Sequence, residues 1–163
     1  MPTGPILPAS PDHDTWMGQA LDLARTAADK GEVPIGAVVV QQGRDGPATV
    51  VASGHNRREQ LGDPTAHAEV LALRGAASAL GRWRLDDCIL VVTLEPCPMC
   101  AGALWAARIG GVVFGAENFD AGALGTLYHL GQDPRLNHEF PVRAGVRGQE
   151  SSELLQEFFG RRR

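Results

Sequence analysis

The sequence predicts one α/β domain, because helix-like and strand-like segments alternate along most of its 163 residues. Residues 88–115 give the clearest pattern, in which an apolar strand, a helix and a second apolar strand predict a β-α-β unit with a parallel crossover. Hydrophobic residues make up 44% and charged residues 21% of the chain, which excludes a mainly disordered protein. The length is sufficient to bury a core without disulfide cross-links.

The first half of the chain predicts a helix followed by a hairpin. Over residues 14–30 apolar side chains recur at helical spacing, and Gly31 is placed to end the helix. The runs at 35–40 and 48–53 are rich in β-branched residues and are joined by a segment with turn chemistry. Two paired strands are therefore expected directly after the first helix.

The central segments predict two more helices around a buried strand. Asp63-Pro64-Thr65 offers a cap and a proline suited to the first turn of a helix that ends at Gly81. The strand at 88–94 leads into a helix over 96–109, whose two prolines lie where backbone donors have no helical partner. A short strand is expected at 112–115.

The two ends of the chain predict different behaviour. Four prolines among the first eleven residues indicate a mobile leader over residues 1–13, with the folded domain at 14–163. Towards the C-terminus a further helix is expected over 123–130, a strand within 139–146 and a terminal helix over 150–159. Three arginines follow that helix, and they either form a solvated end or attract phosphate.

The composition predicts a soluble cytoplasmic protein with no membrane partner. No uncharged apolar stretch approaches the roughly 18 residues that a membrane span needs, and the N-terminus lacks the basic start and apolar core of a secretory signal. The net charge of −4 disfavours indiscriminate binding to nucleic acid, so an RNA partner would need local basic patches. The three cysteines are expected to be thiols or metal ligands, since their number is odd.

Three residues have the spacing and chemistry of a metal site. Cys97 and Cys100 are three residues apart at a predicted helix start, which places both sulfurs on one face. His67 lies near another predicted helix start and can supply a third ligand. The positive end of each helix dipole stabilises thiolate over thiol, and sulfur and imidazole donors favour zinc over magnesium or calcium.

The cysteine pair alone leaves other interpretations open, because a strand leading into Cys-x-x-Cys is also typical of a thioredoxin-like redox site, and zinc can be purely structural. Three protein ligands favour a catalytic ion, whose fourth position stays open for water. Bound zinc lowers the pKa of water from 15.7 to about 7, and Glu69 is the nearby group expected to move protons. Cys88 opens an apolar strand and is expected to be a buried small residue rather than a fourth ligand.

The order of the two motifs identifies a known signature. His-x-Glu followed by Pro-Cys-x-x-Cys is typical of zinc-dependent nucleobase deaminases. The chain as a whole resembles the bacterial tRNA-specific adenosine deaminases, within the cytidine/deoxycytidylate deaminase superfamily. The resemblance covers nearly everything from Asp14 onward, and the matching segments are 93–103, 108–116, 122–125, 137–138 and 158–162.

This resemblance implies a three-layer α/β/α fold with a central mixed sheet of about five strands, and a homodimer with one zinc ion per subunit. It implies conversion of adenosine to inosine at the wobble position of a tRNA anticodon stem-loop, with zinc held by His67, Cys97 and Cys100. Glu69 would take a proton from the zinc-activated water, then deliver it to the ring and later to the amino group that leaves as ammonia.

The same resemblance implies substrate contacts close to the metal motif. Asn56 matches an asparagine that contacts the flipped nucleotide, and the backbone at Ala68 would lie beside the base. Arg57 and Arg58 follow Asn56 directly and are expected to contact RNA.

The chain departs from the common pattern of these relatives at three places. Asn118 lies in a loop where an Asp followed by a Lys is common, and Gly111 and Glu139 stand where Arg is common. All three departures change charges that could contact RNA. Two alternatives therefore stay open, a deaminase of a free base such as guanine or cytosine, and a non-catalytic RNA-binding module stabilised by zinc.

Overall fold

A computed structural model describes residues 5–162 of the chain, which form five helices and five strands in the described range. The helices are α1 (Pro11–Asp29), α2 (Arg58–Leu61), α3 (Ala68–Leu80), α4 (Pro98–Ala106) and α5 (Gly148–Gly160). The strands are β1 (Gly36–Gln41), β2 (Thr49–His55), β3 (Cys88–Leu94), β4 (Gly111–Ala116) and β5 (Val142–Arg143).

The strands form one mixed sheet with the order β2-β1-β3-β4-β5. Strand β1 is antiparallel to both of its neighbours, β2 and β3, whereas β3, β4 and β5 run parallel to one another. The predicted hairpin and the predicted β-α-β unit are both present, as β1–β2 and β3–α4–β4. The prediction of a mixed sheet of about five strands is confirmed.

Helices cover both faces of the sheet, which makes the three-layer α/β/α arrangement. Along β1, Val38 and Val40 face α1 and α5, while Ala37 and Val39 face α3 and α4. All four side chains are buried. A strand that is covered on both faces has apolar residues at consecutive positions rather than at alternate ones, which explains the continuous apolar run at 35–40.

Helix starts differ most from the sequence predictions. Helix α1 begins at Pro11 instead of residue 14, because the Ser10 side chain accepts a hydrogen bond from the backbone N–H of Asp12 and a proline suits the first turn. The predicted cap at Asp63 is wrong, since its carboxylate binds the backbone and hydroxyl of Thr65 in a local turn. Helix α3 starts later, at Ala68, and ends as predicted at Gly81, which has a φ of 68°.

The predicted helix over 123–130 is also wrong. The backbone N–H groups of Leu124 and Thr126 donate to the carboxylate of Glu95, and Gly125 has a φ of 137°. Neither condition is compatible with helical hydrogen bonds between successive turns. The strand expected within 139–146 is reduced to the two residues of β5.

The predicted leader is partly bound to the domain. Within residues 5–13, the backbone N–H of Leu7 donates to the carbonyl of Val142 at 3.3 Å, and Arg143 Nε donates to the carbonyl of Leu7 at 2.6 Å. Residues 11–13 belong to α1. Residues 1–4 of the predicted leader and Arg163 of the predicted arginine tail lie outside the described residues.

No helix within residues 5–162 combines the length and the apolar character that crossing a membrane requires.

His13 lies buried where this N-terminal segment meets the domain. Its ring centroid is 5.9 Å from that of Trp16. Burial lowers the pKa of His13 below its ordinary value of 6.5, and the nearby Arg143 acts in the same direction, while Asp12 and Asp14 oppose it. The folded protein therefore binds a proton at His13 more weakly than the unfolded chain does.

We expect His13 to make the fold less stable as the pH falls below 6.5, since the unfolded state then gains the proton first. The variant His13→Gln lacks this titration and should lose less unfolding free energy than the wild type between about pH 7 and about pH 5. Urea denaturation at several pH values measures the difference, and all other histidines are common to both proteins. Parallel losses in the two proteins would contradict the assignment.

Candidate active site

His67 and Cys97 occupy equivalent positions at the starts of two helices. His67 is the N-cap of α3, with φ −74° and ψ 152°, and Cys97 is the N-cap of α4, with φ −74° and ψ 173°. Neither side chain makes a capping hydrogen bond to its own helix. The imidazole and the thiol are thus free to face each other between the two helix starts.

Cys100, in the first turn of α4, completes a compact cluster. His67 Nδ1 lies 3.4 Å from Cys100 Sγ and 3.7 Å from Cys97 Sγ, and one ligand atom from each residue lies within 4.8 Å of the others. Ligands bonded tetrahedrally to one zinc ion at about 2.0–2.3 Å lie roughly 3.3–3.8 Å apart. Both the donor atoms and their separations therefore fit a zinc ion. A redox role for the cysteine pair would not explain why His67 Nδ1 lies so close to both sulfurs.

Protons are shared unevenly within this cluster. Hydrogen bonds from Cys100 and then from His67 lower the pKa of Cys97 to about 4, although its burial acts in the opposite direction. The hydrogen bond to Cys97 raises the pKa of His67, and the same thiolate together with burial raises the pKa of Cys100. The lowered pKa of Cys97 favours the thiolate, which is the form in which a cysteine binds a metal ion.

Glu69 is the second residue of α3, and its side chain reaches the cluster. Its Oε2 accepts a hydrogen bond from Cys100 Sγ at 3.0 Å, and the residue is only 4% exposed. Residues two apart do not share a face of a regular helix, but His67 precedes the helix with an extended backbone, which allows both side chains to converge. Burial raises the pKa of Glu69, and the hydrogen bond from Cys100 only partly offsets that effect.

The start of α3 lies close against β2 because Gly54 has no side chain. A Cβ atom at Gly54 would lie 2.8 Å from the carbonyl oxygen of Ala68 and 3.0 Å from the nitrogen of Ala72. Any larger residue at this position would push the helix away from the sheet. The small side chain of Ala68 is itself fully buried beneath the cluster.

Asn56 is buried in the loop that leaves β2. Its backbone N–H donates to the carbonyl of Ile35 at 3.1 Å, and its Nδ2 donates to the carbonyl of Val33 at 3.5 Å. Its Oδ1 accepts from the backbone N–H of Arg58 at 3.3 Å. Hydrogen bonds at both the nitrogen and the oxygen of the side-chain amide therefore fix its orientation.

Arg57 and Arg58 lie beside the metal cluster. The backbone N–H of Arg57 donates to the carbonyl of Ala66 at 3.0 Å, which places it next to His67 in space. Arg57 is partly buried and Arg58 is exposed. The charge of Arg58 is near enough to His67 to oppose protonation of its ring.

Two buried carboxylates contribute to the site although sequence reasoning did not select them. Glu32, 1% exposed, accepts from the backbone N–H of Gln60 at 2.8 Å and from that of Glu59 at 3.4 Å, and so holds the first turn of α2 beside the cluster. No pattern in the sequence pairs Glu32 with a helix 27 residues away.

Glu95 is the other buried carboxylate, and it organises the loop after β4. It accepts from the backbone N–H groups of Asn118, Leu124 and Thr126 at 3.3, 3.0 and 3.1 Å, and also from the hydroxyl of Thr126. The sequence signal for this residue is weak: a single acid lies between an apolar strand and Pro96, and its burial, which requires hydrogen-bond partners, is seen only in the structure.

Three residues considered from the sequence lie apart from the cluster. Cys88 is at the opposite end of β3, where burial and then Asp87 raise its pKa to about 12, so it is a buried small residue as predicted. Gly111 is buried, and a Cβ there would lie 3.2 Å from Leu7, so this position does not face a ligand in solvent. Glu139 is exposed.

Comparisons with known proteins agree over nearly the whole chain. The model of the MafB19-like deaminase family matches residues 11–163. A tRNA-specific adenosine deaminase of Bacillus subtilis is 46% identical over 146 residues, which cover 90% of this chain and 88% of that protein. A tRNA(Ile)-lysidine synthase of Deinococcus radiodurans is 51% identical over 154 residues, but the chain spans only 25% of the length of that relative.

Solved structures share the same fold. One comes from a study of A-to-I editing by tRNA:A34 deaminases at the wobble position of transfer RNA, with a TM-score of 0.80 and 42% identity over 86% of this chain and 99% of that one. A guanine deaminase from Nitrosomonas europaea has a TM-score of 0.74 and 29% identity, over 98% of this chain and 90% of that one.

Replacement of a single cluster sulfur should remove the metal. We expect Cys97→Ser to be purified with little or no bound zinc, because a hydroxyl is a poorer zinc ligand than a thiolate. Cys88→Ser is the matched control and should keep the wild-type metal content, since Cys88 lies outside the cluster. Metal analysis of the three proteins after identical purification tests this, and stoichiometric zinc in Cys97→Ser would show that other residues hold the ion.

Proposed function

The chain belongs to the MafB19-like deaminase family, and from that membership we propose that it converts adenosine to inosine at the wobble position of a tRNA anticodon. The observation that carries the proposal is the 46% identity to a tRNA-specific adenosine deaminase over 88% of that enzyme, in a chain that assembles His67, Cys97, Cys100 and Glu69 at one place. The reaction is hydrolytic: a bond forms between water oxygen and carbon 6 of the purine, and the bond to the amino nitrogen breaks to release ammonia.

His67, Cys97 and Cys100 would hold one zinc ion per subunit. Two sulfurs and one imidazole nitrogen are donors that zinc prefers, and three protein ligands are typical of catalytic zinc. When bound, the ion lowers the pKa of water to about 7 and so supplies hydroxide at neutral pH.

Glu69 moves the protons of the reaction. Its carboxylate takes one proton from the attacking water and gives it to the ring nitrogen beside carbon 6. It then takes the second proton from the oxygen that has been added at carbon 6 and gives it to the departing amino group. The raised pKa of Glu69 suits this exchange, because a buried carboxyl group holds a proton more readily than an exposed one. The position of Oε2 next to Cys100 keeps the group within reach of the metal cluster.

Substrate contacts come from the loop after β2 and from the start of α3. Asn56 contacts the flipped nucleotide, and the backbone at Ala68 lies beside the base. Arg57 and Arg58 contact the RNA backbone, and their position beside His67 supports this assignment. Bases of an anticodon loop are unpaired, so the target base can leave the stack at low cost.

A homodimer would bury the exposed apolar surface between α3 and α4. Trp83 is 62% exposed there, next to an apolar depression of about 320 Å³ lined by Leu73, Ala77 and Ala106. Exposed apolar surface of this kind commonly marks an interface between proteins. A second copy of the chain is the partner that we propose for it.

Deamination of a free base is the second candidate function. The likeness to a guanine deaminase, with a TM-score of 0.74, favours it, since the same fold serves a substrate without RNA. A zinc-stabilised RNA-binding module without activity would have no use for a buried carboxylate at the cluster, so Glu69 argues against it.

The three functions are separated by one assay. The protein is incubated with a tRNA anticodon stem-loop, and separately with free adenine, guanine and cytosine, and both inosine and ammonia are measured. Inosine in the RNA supports the proposal. Ammonia from a free base with no inosine in RNA would reject it in favour of the second candidate, and RNA binding with neither product would favour the inactive module.

Glu69→Gln should keep zinc but lose turnover by at least about 100-fold, because an amide keeps the shape of the side chain but cannot transfer protons. The control Glu153→Gln makes the same chemical change on the exposed side of α5 and should keep full activity. Turnover on the stem-loop and zinc content are measured for both variants. Near-normal turnover of Glu69→Gln would assign the proton transfers to another group.

A further inference from the structure

A chain of hydrogen bonds joins a buried acid to an arginine beside the metal cluster. Glu32 Oε1 accepts from the backbone N–H of Gln60 at 2.8 Å, and Gln60 Oε1 in turn accepts from Arg57 Nε at 3.1 Å. We propose that Glu32 and Gln60 are positioning residues, which hold the guanidinium of Arg57 ready for a phosphate group of the RNA. The assignment rests on the proposed function, since it concerns how the same site binds its substrate.

Glu32 is suited to be the fixed end of this chain of hydrogen bonds. It is 1% exposed, and its second oxygen, Oε2, accepts from the backbone N–H of Glu59 at 3.4 Å. Its own backbone N–H donates to the carbonyl of Ala27, near the end of α1, at 2.9 Å. A buried carboxylate costs free energy unless donors satisfy it, so the fold favours the arrangement that keeps both N–H groups of α2 in place.

The segment that Glu32 holds is too short to be stable by itself. Helix α2 has four residues, and the side chain of its N-cap residue, Arg57, makes no capping hydrogen bond. A single helical turn forms too few hydrogen bonds to offset the conformational entropy that it loses. The position of α2 therefore depends on contacts with the rest of the chain, and hydrogen bonds to an ionised carboxylate are stronger than those between neutral groups.

The guanidinium of Arg57 keeps its remaining donors for a ligand. Its bond to Gln60 uses only Nε, and a neutral amide oxygen does not cancel the positive charge. In the part of the chain that the structure describes, Arg57 forms no ion pair with a carboxylate, whereas Arg82 and Arg147 each form one. A guanidinium that is oriented by an amide but not neutralised by an acid is suited to bind phosphate through its two terminal nitrogens.

The position of Arg57 fits a role in substrate binding. Its backbone N–H donates to the carbonyl of Ala66, directly before the first of the proposed metal ligands. The neighbouring Asn56 donates from Nδ2 to the carbonyl of Val33. Two adjacent residues, Glu32 and Val33, therefore hold two adjacent side chains that are proposed to contact the substrate. Holding them in advance reduces the entropy that binding would otherwise cost.

A double-mutant cycle on RNA binding tests the proposal. The Kd for a fluorescently labelled anticodon stem-loop is measured by anisotropy for the wild type, Glu32→Gln, Arg57→Ala and the double variant, and kcat is measured at saturating RNA. Glu32→Gln has one acceptor oxygen instead of two, so one N–H of α2 loses its partner. We expect Kd to rise about 5- to 30-fold, as if the backbone of one residue had to be fixed during binding, with little change in kcat. In the Arg57→Ala background, Glu32→Gln should raise Kd by less than about twofold, because the side chain that Glu32 positions is absent.

Gln60→Ala tests the middle of the chain without altering the core. Gln60 is exposed, and the variant keeps its backbone N–H for Glu32 but removes the amide that orients Arg57. Kd should rise for Gln60→Ala, and this rise should also disappear in the Arg57→Ala background. The matched control Gln19→Ala removes an exposed glutamine of α1 and should leave Kd unchanged. If Glu32→Gln is too unstable to purify, the cycle of Gln60→Ala with Arg57→Ala decides alone.

The salt dependence of Kd separates positioning from a general loss of structure. Arg57→Ala should reduce the slope of log Kd against log salt concentration by roughly 0.7–0.9, the value for one phosphate contact, and Glu32→Gln should change the slope in the same direction. Val40→Ala truncates a fully buried side chain on the face of β1 that packs against α1. It should lower the melting temperature but leave both Kd and the slope unchanged.

The outcomes separate this proposal from the proposed function. If the wild type forms no inosine in the stem-loop, the proposed function itself fails. If the wild type is active but Glu32→Gln and Gln60→Ala leave Kd and the salt slope unchanged, neither residue positions Arg57. Additive effects of Glu32→Gln and Arg57→Ala would show that Glu32 acts on a different part of the site, and would overturn the proposal.

Discussion

Two helices that start against each other create the centre of this molecule. Helix α3 follows α2 and helix α4 follows β3, yet the side chains of their N-cap residues, His67 and Cys97, lie in the same small space. Because the positive ends of both helix dipoles meet there, thiolate and carboxylate groups are stabilised where they would otherwise repel one another. The glycine at position 54 keeps one helix start close to the sheet, so the packing of small residues sets the distances in the cluster.

The buried acids show how similar side chains come to serve different purposes. Glu32 and Glu95 accept hydrogen bonds from two and three backbone N–H groups respectively, and so anchor α2 and the loop after β4. Glu69 is buried to a similar degree, but its partner is the thiol of Cys100. The hydrogen bonds of Glu32 and Glu95 hold backbone segments in place, whereas burial raises the pKa of Glu69. The type of hydrogen-bond partner therefore distinguishes the acid at the metal cluster from the two acids that anchor backbone segments.

Local patterns in the sequence were sufficient for much of the fold. The β-branched runs, the glycine that ends α3 and the strand before Cys97 act through short-range chemistry, and the structural features predicted from these three signals are present. The metal cluster was accessible because residue type and spacing constrain ligands strongly. Two predictions failed where a carboxylate binds backbone N–H groups in an irregular segment. Asp63 accepts from Thr65 in a local turn instead of capping a helix, and the distant Glu95 accepts from Leu124 and Thr126 in a segment that was predicted to be helical. The convergence of His67 and Glu69 also depended on where α3 begins, which spacing alone did not fix.

The way in which Glu95 binds its loop has an evolutionary consequence. Most of its partners are main-chain amides, at Asn118, Leu124 and Thr126, and a main-chain amide is present whatever side chain a mutation introduces, proline excepted. Side chains in this loop can therefore diversify while its path is inherited unchanged. Single substitutions here can therefore change the chemistry of the loop surface without first having to rebuild the framework that presents it.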